Sequence, residues 1–356
     1  PLPSASGMSI LAVNAGSSSL KFALYPLAQD GIAAAEVSGN IEGLEPAGQP
    51  RIVLSQPSQS PEVRTVAAAQ GADRFELALR ELRLLLRERW AHIEVQAVAH
   101  RIVHGGAQYR RSVVIDDEVI AQLATLNALA PLHQPHNLAG VRAFRDAFPR
   151  VLQVGCFDTA FHATLGPLET TFGIDHSLTE AGVRRYGFHG LSYQYVSQVL
   201  QARSARSSGR LIMAHLGNGA SVCATRAHQS QATSMGFSAL DGLMMGTRSG
   251  ALDPGVLLYL MEQGWDHARI QDLLYKHSGL LGVSGESADM RRLRASTSPR
   301  ARLATDLFAH RVVREIGAQT ASVGGLDVLA FTGGIGEHDV QLRAQVCAAL
   351  SYLGIR

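Results

Sequence analysis

Two arginines stand where a charge is costly or exposed to bare backbone. Arg101 interrupts the apolar run Ala97-Val-Ala-His-Arg-Ile-Val103, and Arg248 lies inside Gly246-Thr-Arg-Ser-Gly250. A planar guanidinium grips a carboxylate or a phosphate through two parallel N–H bonds. A charge within an apolar strand needs a partner, so each arginine reads either as an anion clamp or as half of a structural ion pair. Around them are five loops of small residues: Asn14–Ser19, His104-Gly-Gly106, Gly217–Ser221, Gly246–Gly250 and Gly333-Gly-Ile-Gly336. Bare N–H groups in such loops suit phosphate, and a glycine turn opening a helix suits it further. Each loop alone is equally an ordinary turn. Together they describe a site built from backbone amides.

Three histidines, His133, His162 and His189, sit in loops of small or aromatic residues, where a lone histidine is as readily structural as functional. His133 and His136 have a spacing open to metal, but Pro135 lies between them and no third ligand is near in sequence. Asp158 follows a strand at its carboxyl end, the edge where α/β sheets bind ligands, and reads otherwise as a turn cap. Lys21 and Lys276 are the only lysines in a chain whose default cation is arginine, and Lys21 stands beside the Ser-rich loop.

The elements that must hold these groups follow from periodicity. Ser9–Val13 and Leu20–Leu27 are apolar and flank Asn14–Ser19, giving strand, loop, strand. The Gly-x4-Gly-Lys-Ser/Thr spacing of a Walker loop is absent. Residues 28–72 read as loops and edge strands. An amphipathic helix spans 73–90 with Asp73 as its cap, and a strand spans 95–103. A helix runs over 117–129, then a loop over 130–136. Asn137 caps a helix to about 148, and a strand covers 151–156. Near residue 157 the pattern restarts, with a helix over 190–202. Leu211–Thr225 then repeats the strand, small-residue loop, strand of the opening. Helices at 253–263, 267–276 and 300–323 precede a strand at 326–331, a glycine turn and a helix at 339–350. This alternation argues for a layered α/β fold. The two hairpins, aligned on Gly16 and Gly217, suggest a duplicated domain with a cleft between the halves.

At 356 residues, 46% hydrophobic and 17% charged, the chain is expected to form two globular domains. A net charge of +2 gives no reason to expect nucleic acid or a membrane surface as partner. No apolar run reaches a membrane span. Cys156, Cys223 and Cys347 are too few and scattered for a disulfide framework or zinc site, which fits a reducing cytoplasm. Met8 reads as the natural start, and residues 1–7 as a remnant ahead of it.

Eight motifs, in order, resemble the acetate kinase (acetokinase) family. They are Val13-Asn-Ala-Gly-Ser-Ser-Ser-Leu-Lys21, His100-Arg-Ile-Val-His-Gly-Gly106, Ala130-Pro-Leu-His133, Phe157-Asp-Thr-Ala-Phe-His162, Arg185-Tyr-Gly-Phe-His-Gly190, His215-Leu-Gly-Asn-Gly-Ala-Ser221, Met244-Met-Gly-Thr-Arg248 and Phe331-Thr-Gly-Gly-Ile-Gly-Glu337. The resemblance implies a duplicated ribonuclease-H-like fold of the actin and sugar-kinase superfamily, with domains over 8–156 and 157–356. It implies a homodimer formed through the second domain. It also implies reversible, Mg²⁺- or Mn²⁺-dependent transfer of the ATP γ-phosphoryl to acetate, giving acetyl phosphate and ADP.

The roles it implies follow position by position. Asn14 helps hold the metal–phosphate end, beside Ser17, Ser19 and Lys21. Arg101 and Arg248 clamp the carboxylate and the transferring phosphoryl. His189 donates to that phosphoryl, with His133 assisting, and Asp158 is the catalytic carboxylate. Val103, Leu132 and Phe188 wall the acetate methyl. His215, Gly217, Asn218 and Gly219 contact phosphates. Asp289, Met290 and Arg291, with Gly333, Gly334, Ile335 and Gly336, hold the nucleoside.

Three departures from the pattern stand out. The family's His-Gly-Thr-Ser-His is here His189-Gly-Leu-Ser-Tyr193, so Leu191 and Tyr193 differ. Its Phe-Thr-Pro-Leu is Phe237-Ser-Ala-Leu240, so Ala239 leaves a roomier pocket in which propionate is expected to react. The family's return segment, with an Asn-Glu-Glu motif that carries a Mg²⁺-binding glutamate, lies outside the 356 residues. The competing readings are a propionate or butyrate kinase of the same family and an actin-like ATPase. The two arginines argue against the ATPase, because a nucleotide switch needs no carboxylate clamp.

Overall fold

The computed structural model describes residues 7–45, 47–67, 71 and 73–356. The chain divides into two compact units, Pro1–Ala160 and Phe161–Arg356. The three cysteines are free thiols. Among the described residues no helix is long and apolar enough to cross a membrane.

The first unit is built on a nine-stranded sheet. Its strands are β1 (Met8–Ala15), β2 (Leu20–Ala28), β3 (Gly31–Ile32), β4 (Val37–Glu42), β5 (Arg51–Ser55), β6 (Glu62–Thr65), β7 (Glu94–Ile102), β8 (Val113–Val114) and β9 (Leu152–Phe157). They lie in the order β6-β5-β4-β2-β1-β7-β9-β8, with β3 on β2. The opening hairpin forms as expected, with Ala15 opposite Leu20, and β7 runs parallel beside β1. Leu11, Val13 and Ala15 of β1 alternate into the core, as a half-buried strand requires. They pack with Leu79, Leu82 and Leu86 of α1 (Arg74–Arg89) and with Phe144 of a later helix. Asp73 caps α1 by accepting from the Phe75 and Glu76 amides, as expected from its place.

Three expectations for this unit fail, the first being the helix over 117–129, which ends at Ala124 and gives way to a 3-10 turn at Asn127–Leu129. Residues 28–72 hold more sheet than edge strands: β4 pairs with β2 on one side and β5 on the other. Residues 46, 68–70 and 72 of that stretch lie outside the described residues. The helix after α2 (Asp117–Ala124) does not start at an Asn137 cap. It is α3 (Gln134–Ala147), it begins inside the expected loop, and its N-cap is His133. Pro135 sits in its first turn, where a missing N–H breaks no helical bond. Asn137 is buried instead, with a different task described below.

The second unit carries the short helices α4 (Pro167–Thr170) and α5 (His176–Glu180), then α6 (Gly190–Arg203). Its sheet has strands β10 (Leu211–Leu216), β11 (Ala220–Arg226), β12 (Gln229–Thr233) and β13 (Val328–Thr332), in the order β12-β11-β10-β13. Helices α7 (Pro254–Glu262), α8 (His267–Lys276), α9 (Gly279–Ser284), α10 (Met290–Ala295) and α11 (Pro299–Val323) come before β13. Helices α12 (Gly333–His338) and α13 (Val340–Ala349) follow it. The six-residue α9 and α10 were not expected, since a helix of under two turns leaves no periodic signal. Strands β10 and β11 are buried almost throughout, and α11, whose Phe308, Val312 and Ile316 are fully buried, packs against both.

The repeat inferred from the sequence holds at the level of topology. In each unit an antiparallel hairpin, β1–β2 or β10–β11, has its first strand parallel to a later one, β7 or β13. Each of those later strands is followed closely by a glycine pair, Gly105-Gly106 or Gly333-Gly334.

Candidate active site

In the first unit the hairpin loop is tight: the Gly16 amide donates to the Ser19 carbonyl at 2.8 Å. Ser17 is exposed and Ser19 half-buried. Asn14 and Lys21 are direct cross-strand partners, so an amide and an ammonium share one face of the hairpin. At the end of β7, Arg101 forms a two-pronged pair with Asp158, Nη2 to Oδ2 at 2.6 Å and Nε to Oδ1 at 3.3 Å. Asp158 is 2% exposed and the Arg101 side chain 36%. The Asp158 charge is the largest cause holding the Arg101 guanidinium above its usual pKa.

The backbone beyond Arg101 is held by side chains. Asn137 of α3 accepts from the Val103 amide at 3.0 Å and donates to the Ala15 carbonyl at 2.8 Å. Gln134, fully buried, accepts from the His104 amide and donates to the His104 carbonyl. Thr159 Oγ1 accepts from the Gly105 amide at 3.0 Å. Val103 is 5% exposed, while Leu132, just ahead of the α3 cap His133, is 36% exposed. Sequence reading missed Asn137, Gln134 and Thr159, because a polar residue near an apolar run looks like a cap or a surface group.

In the second unit His189 caps α6 in the left-handed region, at φ 58°. Its Nδ1 lies 2.7 Å from Ser221 Oγ, and Ser221 Oγ lies 2.5 Å from the Tyr193 hydroxyl. The His189 ring stacks on His215, with centroids 4.2 Å apart. His215 Nδ1 is 2.9 Å from Ser192 Oγ. A β-carbon at Gly219 would stand 3.0 Å from Arg248 Nη2 and 3.2 Å from His189 Nε2. The Arg248 guanidinium and the His189 imidazole therefore converge on the bare face of that glycine. Arg248 is steadied by donation from Nη1 to the Ala239 carbonyl at 2.9 Å. Phe188 is buried, and its carbonyl is 2.8 Å from Nε2 of His162, whose Nδ1 is 2.7 Å from Ser230 Oγ. His162 thus fixes the backbone next to His189.

A cavity of about 860 Å³ in this unit gathers half of the expected nucleotide residues: Gly217, Asn218, Asp289, Met290, Arg291, Gly334 and Ile335 all line it. Gly333 and Gly336 stand in the same turn as supports. Gly333 has φ +78°, and a β-carbon there would meet the Leu216 carbonyl oxygen at 2.5 Å, so only glycine fits. Asp289 caps α10 and pairs with Arg291, whose guanidinium lowers its carboxyl to about 2. Ser287, Ala288, Arg294, His338, Asp339 and Val340 also line the cavity and were not foreseen. Arg294 and Asp339 pair at 3.0 Å although 45 positions apart, which no local pattern signals.

Among the described residues no three His, Cys, Asp or Glu side chains are grouped to hold a metal ion. The open reading of His133 and His136 as a metal pair therefore finds no third ligand.

A hairpin-led sheet in each of two units, with a glycine turn that opens α12 in the second, is the architecture of actin- and sugar-kinase-like phosphotransferases. The comparisons with known proteins narrow this. The chain matches the model of the Acetokinase family over residues 9–356, and it belongs to that family. It is 47% identical over 350 residues to an acetate kinase of Rhodopseudomonas palustris (strain TIE-1), covering 97% of this chain and 87% of that protein. Among solved structures, a propionate kinase from Francisella tularensis superposes with a TM-score of 0.88 at 35% identity, covering 97% of this chain and 88% of that one. Porphyromonas gingivalis acetate kinase superposes at 0.85 with 37% identity, covering 98% and 88%.

Proposed function

We propose that the chain moves the γ-phosphoryl of ATP reversibly to the carboxylate of acetate, giving acetyl phosphate and ADP. Family membership supports the reaction class. The observation that carries the reading at the level of residues is the single cavity lined by seven of the expected nucleotide-binding positions.

In this reading a carboxylate oxygen forms a bond to the γ-phosphorus while the bond to the bridging oxygen breaks, and that electron pair leaves on ADP. The nucleophile is already ionised at neutral pH, so the reaction needs positioning and charge neutralisation rather than a base. Arg101, held by Asp158 through Nε and Nη2, keeps its Nη1 edge for an anion. Arg248 and His189 donate to the phosphoryl as charge spreads over its oxygens, with His133 assisting. Val103, Leu132 and Phe188 exclude water from the acyl group. His215 supports His189, and Gly219 lets the phosphoryl approach the backbone.

Mg²⁺ or Mn²⁺ is part of the reading. Asn14, Ser17 and Ser19 offer neutral oxygens, and Lys21 stands beside them. Magnesium takes oxygen donors and keeps phosphates and waters as its main ligands, so this set fits an ion carried by the nucleotide. When bound, the ion neutralises phosphate charge.

The other parts of the reading are a cytoplasmic location and a homodimer. Helix α7 has no buried residue and exposes Val256, Leu258, Tyr259 and Met261. A second copy that covers this face would remove that apolar area from water. The size of Ala239 and the likeness to a propionate kinase favour a second reading in which propionate is also phosphorylated. One extra methylene is worth only about 1–3 kcal/mol of discrimination.

The deciding assay is acyl hydroxamate formation from ATP with acetate, propionate or butyrate, with and without Mg²⁺. Acetate turnover that requires Mg²⁺ is expected, with weaker propionate turnover. ATP hydrolysis with no acyl product would overturn the reading in favour of a nucleotide switch. No turnover on propionate would remove the second reading.

A further inference from the structure

The first turn of α6 carries more chemistry than His189. Tyr193 lies four residues on, on the same helix face, with its amide donating to the His189 carbonyl at 3.0 Å. It is fully buried, as is Ser221 of β11. The antiparallel pairing of β10 and β11 sets Ser221 opposite His215. There the Ser221 hydroxyl lies between the Tyr193 hydroxyl at 2.5 Å and His189 Nδ1 at 2.7 Å.

Proton counting along this line has one self-consistent solution. Burial is the largest cause raising the Tyr193 phenol well above its usual pKa, so it keeps its proton. Among the described residues, Ser221 Oγ is the one side-chain acceptor the phenol reaches. The phenol therefore donates to Ser221, and the single Ser221 proton goes to His189 Nδ1. The reverse direction would leave the phenol proton without an acceptor in a buried place, which is costly.

We infer that Tyr193, acting through Ser221, fixes His189 as its Nε2–H tautomer and is a positioning residue for phosphoryl transfer. His189 Nε2 is the nitrogen on the Gly219 face that it shares with Arg248. A neutral imidazole offers a donor at one nitrogen only. Without the relay, Ser221 can accept from Nδ1–H, and the nitrogen aimed at the phosphoryl then becomes an acceptor facing an anion. The inference rests on the reading above that His189 donates to the phosphoryl.

The test uses the full chain with ¹⁵N-labelled histidine. The His189 signal is identified by its loss in His189→Gln, and its tautomer is read from the nitrogen shifts at a pH where the ring is neutral. The unaltered chain should show Nε2–H alone, and Tyr193→Phe, a nearly isosteric change, should show a second, Nδ1–H population. In steady state, Tyr193→Phe should lower kcat about tenfold with both KM values within about twofold, the mark of a contact made mainly in the transition state. Ser221→Ala should cost a similar factor, and the double variant no more than either single one, because the two groups act through one line.

Nδ1–H in the unaltered chain, or pure Nε2–H in Tyr193→Phe, overturns the inference, as do multiplying losses in the double variant. The spectra need no turnover. A chain that shows the expected tautomers but does not phosphorylate acetate keeps the relay and loses the functional reading instead.

Discussion

Arg101 and Asp158 meet as two flat forks, 57 positions apart in sequence, with the carboxylate sealed from water and the guanidinium partly open. The two halves are unequal. Removing the arginine strands a buried charge, whereas removing the aspartate leaves a guanidinium that can turn toward solvent. Arg101→Ala is therefore expected to destabilise the chain by about 3 kcal/mol and Asp158→Ala by nearer ~1 kcal/mol. Urea unfolding of both variants checks this, and the opposite order would contradict it. Both should also lower kcat/KM for the carboxylate substrate, by on the order of 10².

Gly219 is the close approach of the second unit. A methyl at this position presses on Arg248 Nη2 and His189 Nε2 at about their contact limit. Gly219→Ala should fold with an ordinary melting temperature and lose at least about 10² in kcat, because a misplacement of a fraction of an ångström is expensive in an oriented site. Arg248→Ala should lose on the order of 10²–10³. Near-normal turnover in either variant would remove the Gly219 face from the reaction.

His100 gives the fold a pH limit. Its ring is 3% exposed, lies 2.6 Å from Gln153 Oε1 and meets the Phe144 edge. Burial is the largest cause that lowers its pKa to about 4. The unfolded chain, with an ordinary histidine near 6.5, binds this proton first as pH falls. Stability from this site is complete above about 6.5 and is lost progressively as pH drops toward 4. Denaturation midpoints between pH 7 and 4.5 should fall more steeply in the unaltered chain than in His100→Gln. Parallel curves would show that His100 does not contribute.

Asn137 ties the end of β1 to the segment after Arg101. Asn137→Ala leaves a buried N–H and a buried C=O without their partner, so a loss of about 2–4 kcal/mol is expected. Asn137→Asp replaces the donor to the Ala15 carbonyl with an oxygen and should also be destabilising. A change below about 0.5 kcal/mol for Asn137→Ala, measured in urea, would show that the bridge is dispensable.

The sequence made some of this visible and hid the rest for physical reasons. Asp73, the two hairpins and the glycine turns declare themselves locally, since caps and turns are set by neighbours. Arg101 was conspicuous as a charge in an apolar run, but its partner was not, because β7 and β9 are brought side by side only by the sheet. Asn137 was misjudged as a cap because its true partners, Ala15 and Val103, are 122 and 34 positions away. Tyr193 was noticed as a departure from a motif, yet its link to His189 passes through Ser221, which arrives from another strand.

The left-handed backbone of His189 sets stability against function at one position. A residue with a β-carbon held there costs on the order of 1 kcal/mol relative to glycine. Selection for a sturdier chain alone would drift toward glycine at 189 and gain stability while losing the imidazole. A laboratory search that scores only thermal tolerance is therefore expected to recover inactive chains changed at this residue. The same search scored on turnover would keep the histidine and find its stabilising changes elsewhere.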